Sequence, residues 1–248
     1  MNGVSIGRAA GGEFVGTFTL VLSICLTTAC GPTSPMSVPL AAGLAVLVMI
    51  YAVGSLCGAH FNPAVTAAFW AAGRFPLRRL PAYVAAQIAG ATSAAGAAHG
   101  IAVAGRDAVA SSAAVDTATL LSVTRPSGGE AFLMPALGCE IVLTAILMLV
   151  ILRVSTGAKE VGVMAGVAVG GTVMLAAIVG GPVSGASLNP ARSLGPAIVA
   201  AEYTHLWVYF VGPLFGSLAA VPVDRLLGPS PSLCEDRREP AAAPRSAV

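Results

Sequence analysis

The stretch Ser55-Leu56-Cys57-Gly58-Ala59-His60-Phe61-Asn62-Pro63-Ala64-Val65-Thr66 decides how the whole chain is read, because it returns as Val183-Ser184-Gly185-Ala186-Ser187-Leu188-Asn189-Pro190-Ala191-Arg192-Ser193. Each copy is a run of small residues ending in Asn-Pro-Ala, followed by an apolar segment too short to cross a bilayer. Asn is a strong helix N-cap, and Pro is favoured at the first helical position. Each copy therefore predicts a bare loop feeding a short helix, at about 63–72 and 190–200. Two half-helices inside otherwise membrane-spanning sequence point to a binding or conduction site near the bilayer midplane.

The surrounding chain supports a membrane setting. Of its 248 residues, 56% are hydrophobic and only 10% charged. That is too apolar for a soluble domain and typical of a polytopic membrane protein. Six segments approach the ~20 apolar residues needed to span the hydrocarbon core: roughly 11–30, 38–57, 80–103, 131–152, 161–181 and 204–226. The expected fold is thus all-α, six transmembrane helices plus two half-helices. Residues 1–10 form an N-terminal segment and 11–226 the membrane domain. The tail 227–248, rich in Pro, Ala and charge, is expected to be disordered. The segment 104–130 carries Arg106, Asp107, Asp116, Arg125 and Glu130 among many Ser and Thr, and reads as a polar loop.

Charge placement orients the chain. Six spans put both termini on one side, which collects Arg8, Arg74, Arg78, Arg79, Arg153, Lys159, Arg225, Arg237, Arg238 and Arg245. The other side holds Arg106, Arg125 and Arg192. Basic residues accumulate on the cytoplasmic side of membrane proteins, so cytoplasmic termini are expected.

The chain is also an internal duplication. Glu13 in Gly-Glu-Phe-Val-Gly-Thr matches Glu140 in Cys-Glu-Ile-Val-Leu-Thr 127 positions later, the same offset that separates Asn62 from Asn189. Tyr83 to Gly90 matches Tyr209 to Gly216 at an offset of 126. Each repeat, about 11–103 and 131–226, holds three spans and a half-helix. Three is odd, so the second repeat enters from the opposite face. The half-helices of such an inverted repeat meet head-on. Their N-termini carry partial positive charge and unpaired N–H groups. The amides of Asn62 and Asn189 can donate to a passing oxygen. The unwound runs 54–61 and 180–188 would offer carbonyl acceptors on either side.

Two Asn-Pro-Ala boxes, six spans and a Glu in spans one and four resemble the aquaporin, or major intrinsic protein, family over about residues 11–226. The segment Gly181 to Pro196, with Asn189-Pro190-Ala191-Arg192-Ser193 inside it, looks most like the plant nodulin-type branch and its bacterial relatives. The resemblance implies a homotetrameric plasma-membrane channel. It implies a constriction formed by Ala42, Ala177, Ala186 and Arg192. Water-selective members carry bulky aromatic and His side chains at the first two of these positions. Three alanines imply a wide filter that passes water with glycerol-sized solutes, or undissociated arsenous, boric or silicic acid. Ser193 stands where glycerol facilitators usually have Asp.

Two roles are open to Glu13 and Glu140: carrying protons, or bracing the loops by accepting their backbone N–H groups. His60 is either a pore ligand and pH gate or a further loop brace. The alternatives at the level of function are a water-selective channel of the same fold and an energised secondary transporter. The five cysteines show no ligand spacing, and no His/Cys/Asp cluster suits a metal, a cofactor or catalysis. An enzyme is therefore not expected. With a net charge of +2 and no basic stripe, neither is a nucleic-acid partner.

Overall fold

A computed structural model describes residues 4–31, 34–109, 117–155 and 163–228. The described residues form nine α-helices: α1 (Ile6–Ala29), α2 (Ser37–Cys57), α3 (Pro63–Ala71), α4 (Leu80–Val109), α5 (Thr117–Leu120), α6 (Leu133–Val154), α7 (Ala165–Ser184), α8 (Pro190–Ala200) and α9 (Val208–Leu226). Six are long, and α3 and α8 are the two half-helices. By length and apolarity alone, four segments qualify as bilayer spans: Ile6–Ala29, Ser37–Cys57, Gly129–Val154 and Ala165–Ser184. Helices α4 and α9 are long but interrupted by polar residues such as Gln87 and Asp224 or by Pro213 and Pro222.

Three expectations are corrected. The α1 helix begins at Ile6, capped by the Ser5 hydroxyl, five residues before the expected start of the first span. The stretch 104–130 is not a loop throughout: alanine-rich α4 runs on to Val109, and α5 forms a short turn before the chain returns to the bundle. The unwound runs are shorter than 54–61 and 180–188. Helix α2 continues to Cys57 and α7 to Ser184, each ending on a left-handed glycine, Gly58 (φ 84°) and Gly185 (φ 81°), whose N–H bonds back to Gly54 and Gly181. Gly54 and Gly181 do not stop these helices; the left-handed caps one turn later do. Lys159 and the tail beyond Gly228 lie outside the described residues.

The two repeats are α1–α4 and α6–α9. Within each, the first long helix packs on the second and third: α1 on α2 and α4, α6 on α7 and α9. Each half-helix also packs across the divide, α3 on α9 and α8 on α4. The pseudo-twofold relation is visible in glycine contacts. A methyl built on Gly43 falls 2.6 Å from the Gly170 carbonyl oxygen, and one built on Gly170 falls 2.6 Å from that of Gly43. The two residues are repeat equivalents, so the symmetry axis passes between α2 and α7 here. Gly90 likewise meets the Phe14 carbonyl, and Gly216 that of Ile141, its repeat equivalent.

Small residues let helix backbones approach closely in membranes. Gly170→Ala must push α2 and α7 apart and is expected to cost about 1–3 kcal/mol, as overpacking does. A lowered melting temperature in detergent checks this.

Candidate pore

Each half-helix begins at its asparagine. Asn62 has extended backbone (φ −156°, ψ 122°), and its side chain accepts from Ala64 N–H at 2.9 Å. Asn189 has the same conformation (φ −152°, ψ 109°) and accepts from Ala191 N–H at 3.0 Å and Arg192 N–H at 3.3 Å. With Oδ1 so used, each amide nitrogen turns to the opposite loop. Asn62 Nδ2 donates to the Leu188 carbonyl at 2.7 Å, and Asn189 Nδ2 donates to the Phe61 carbonyl at 2.8 Å. The two half-helix N-termini thus abut. A primary amide has two N–H bonds, so each asparagine keeps one for the cavity beside it.

The short loops between long helix and half-helix are strained in the same way. Gly58, Ala59 and Phe61 have positive φ, as do Gly185, Ala186 and Leu188. Non-glycine residues rarely adopt this conformation and need surrounding structure to hold it. Two buried glutamates supply that structure. Glu13 accepts from His60 N–H at 2.9 Å and Phe61 N–H at 2.6 Å. Glu140 accepts from Ser187 N–H at 2.8 Å and Leu188 N–H at 2.7 Å. Both glutamates are fully buried. Each also takes a side-chain donor: Gln87 Nε2 to Glu13 at 2.7 Å, and the Ser184 hydroxyl to Glu140 at 2.7 Å. Tyr83 and Tyr209 donate to the last carbonyls of α2 and α7, Cys57 at 2.8 Å and Ser184 at 2.7 Å.

His60 lies in the first of these loops. Its Nδ1 is 3.2 Å from the Thr66 hydroxyl, and its ring stacks on Phe69 with centroids 4.6 Å apart. Phe75 and Tyr83 flank the ring at 4.9 and 5.3 Å. At the equivalent place in the second repeat, the Ser187 hydroxyl meets that of Ser193.

One internal cavity of about 60 Å³ touches both asparagines. One wall is aliphatic, from Leu20, Val46, Leu147, Val169 and Val173. Among the described residues, no donor reaches the carbonyls of Gly58, Ala59, His60, Gly185, Ala186 or Ser187. A vestibule of about 380 Å³ adjoins the cavity on the α5 side, and one of about 430 Å³ adjoins it on the side of the termini. Ala42, Ala177, Ala186 and Arg192 line both the cavity and the first vestibule, together with Ile24, so the structure brings these four together where the two spaces meet, with one further aliphatic side chain. Ala59, Ile151 and Val169 stand at the other junction.

Arg192 is 5% exposed. Its Nη1 donates to the Ser122 carbonyl at 2.8 Å and its Nη2 to the Ser122 hydroxyl at 3.2 Å. Sequence reasoning missed Ser122, which lies 70 positions away in a serine- and threonine-rich stretch with nothing to mark it. Gln87 did carry a signal, as a polar side chain in the middle of a span. Among the described residues, no group of three His, Cys, Asp or Glu is placed to hold a metal ion.

Two half-helices abutting at their N-termini, with a narrow cavity beside the junction and a vestibule at each end, are the architecture of a membrane channel. The Major intrinsic protein family model matches residues 27–223, and the chain belongs to that family, the aquaporins. It is 46% identical to Aquaporin NIP1-1 of Zea mays over 212 residues, covering 84% of this chain and 70% of the maize protein. It is 39% identical to Nodulin-26 of Glycine max over 213 residues, covering 84% of this chain and 73% of the soybean protein. The X-ray structure of the aquaglyceroporin from Plasmodium falciparum superposes with a TM-score of 0.78 at 27% identity, covering 90% of this chain and 98% of that one.

Proposed function

We propose that the chain is a passive channel for small uncharged solutes, passing water together with glycerol-sized or hydroxy-acid solutes such as arsenous, boric or silicic acid. One observation carries the reading. Of the five residues that share the cavity and the α5-side vestibule, three are alanines, one is the aliphatic Ile24, and only Arg192 carries a polar side chain. The constriction so formed is wide, with a guanidinium on one side and three methyls and the Ile24 side chain on the others. A neutral polyol or hydroxy acid suits it: its oxygens accept from Arg192, Asn62 and Asn189, its hydroxyls donate to the free loop carbonyls, and its carbon face meets the aliphatic wall. The solved neighbour is named an aquaglyceroporin, which agrees with a solute larger than water.

Ions are turned away by two cationic elements: Arg192, and the positive ends of α3 and α8. Donors at the centre of the path also interrupt a wire of reorienting waters. Glu13 and Glu140 act as braces rather than proton carriers, since both oxygens of each carboxylate are engaged by loop donors. His60 braces the first loop from its aromatic nest. Both termini lie in the cytoplasm, the protein sits in the plasma membrane, and four copies assemble as the family resemblance implies.

Stopped-flow light scattering on proteoliposomes tests this. Glycerol and arsenous acid gradients should collapse faster than in plain lipid vesicles, unaffected by a protonophore. Fast water flux with no solute flux would establish the water-selective alternative, and loss of uptake with a protonophore the energised one. Arg192→Val should raise leakage of charged species and change the solute-to-water permeability ratio. Proton flux that stays unchanged in this variant would leave the half-helix ends as the principal barrier.

A further inference from the structure

The junction of the half-helices has two faces. On one, Asn62 and Asn189 line the pore cavity. On the other, the prolines that follow them, Pro63 and Pro190, floor a separate groove of about 300 Å³ between α4 and α9. The groove exists because the long helices meet differently on the two sides of the pseudo-twofold axis. Helices α2 and α7 pack along one another through Gly43 and Gly170. Helices α4 and α9 barely touch, because the half-helices are wedged between them. Helix α8 presses on α4, where a methyl built on Gly195 would fall 2.5 Å from the Ala91 backbone, and α3 presses on α9. The walls left standing are Val84 and Ile88 of α4 and their repeat equivalents Phe210 and Leu214 of α9.

Every residue lining this groove is Pro, Ala, Val, Ile, Leu or Phe. Its floor offers no donor. Proline has no N–H, and the N–H groups of Ala64 and Ala191 are taken by the side chains of Asn62 and Asn189. A polar ligand would forfeit its hydrogen bonds here. The rim is open, with Leu214 40% and Phe215 64% exposed. The half-helices of an inverted repeat meet near the bilayer midplane, so what adjoins the rim is the ends of lipid chains. An empty groove would leave its lining without dispersion partners. At about 30 Å³ for a group the size of a water molecule, the space takes roughly ten methylene-sized groups. We propose that this groove is a binding site for the terminal segment of a lipid acyl chain, which enters between α4 and α9 and seats against Pro63 and Pro190. The chain end backs the asparagine junction from the side away from the pore, whichever solute the pore passes.

The test uses the full-length protein in vesicles of phosphatidylcholine carrying a diazirine on the terminal carbon of one chain. Photolysis attaches the lipid to whatever its chain end touches, and peptide mass spectrometry reads the position. Pro190 is buried and Leu194, also on the floor, is half-buried, so a chain end reaches them only through the groove. Label is expected on both, at a level at least equal to that on Leu218, an exposed residue of α9 one turn beyond the groove. Ile88→Trp fills the groove from the α4 wall. It should cut the label on Pro190 and Leu194 by about tenfold, the weight of some two buried methylenes, and leave that on Leu218 unchanged. Water permeability equal to the parent's shows that the variant is folded. Leu214→Trp fills the groove from the α9 wall and should act in the same way, so either variant serves if the other does not fold. Label on Phe215 and Leu218 with none on Pro190 or Leu194 means that no chain enters, and overturns the site. Label on Pro190 and Leu194 that persists in the folded tryptophan variants overturns it too. Leu218 labelled with Phe215 bare means that a second copy of the chain covers the groove, which also overturns it.

Discussion

Replacing Glu140 with alanine is expected to leave little folded, conducting protein. The carboxylate serves three buried donors at once: Ser187 N–H, Leu188 N–H and the Ser184 hydroxyl. An orphaned buried donor costs about 1–3 kcal/mol, so losing two backbone partners alone costs roughly 2–6 kcal/mol. That is comparable with the whole stability of many proteins, about 5–15 kcal/mol. The loss falls on a loop whose Ala186 and Leu188 are already in an unfavourable conformation. Glu140→Gln should be intermediate. The two N–H groups bind different oxygens of the carboxylate, and the amide must point its own N–H₂ at one of them. Thermal unfolding in detergent and water permeability of the reconstituted variant read both effects. A melting temperature and water flux equal to the parent's would mean that Tyr209 and the helix cap hold the loop without the carboxylate.

The second large effect concerns selectivity. Ala177→His, or Ala42→Phe, sets a ring at the junction of the cavity and the α5-side vestibule, where methyls now stand. The cavity beyond holds only about 60 Å³, so a ring consumes much of the clearance. Glycerol flux should fall to near that of plain lipid vesicles while water flux persists, because a single-file water needs less width and can use the imidazole as a new partner. The stopped-flow comparison used for the parent protein reads this directly. Equal loss of both fluxes would remove these alanines from the constriction.

The fold was legible in the sequence where its causes are local. An asparagine followed by proline caps and starts a helix within a few residues, so both half-helices could be placed almost to the residue. The shared offset of Glu13 and Glu140 with Asn62 and Asn189 exposed the duplication, and hence the head-on meeting of α3 and α8. What could not be read is set by partners far along the chain. The ends of α2 and α7 depend on left-handed caps and on hydroxyls of Tyr83 and Tyr209 arriving from other helices. The grip of Ser122 on Arg192 depends on a strap with no periodicity and no motif. Helix α4 outran its expected end because alanine favours helix even where polarity suggests a loop.

The crossed asparagines have a bearing on how the chain is made. Asn62 has no acceptor for its amide until Leu188 exists, and α3 has no lateral neighbour on its far side until α9 has been synthesised. The first re-entrant segment must therefore wait, braced by Glu13 and Tyr83 of its own repeat but without its partners from the second, through translation of more than half the polypeptide.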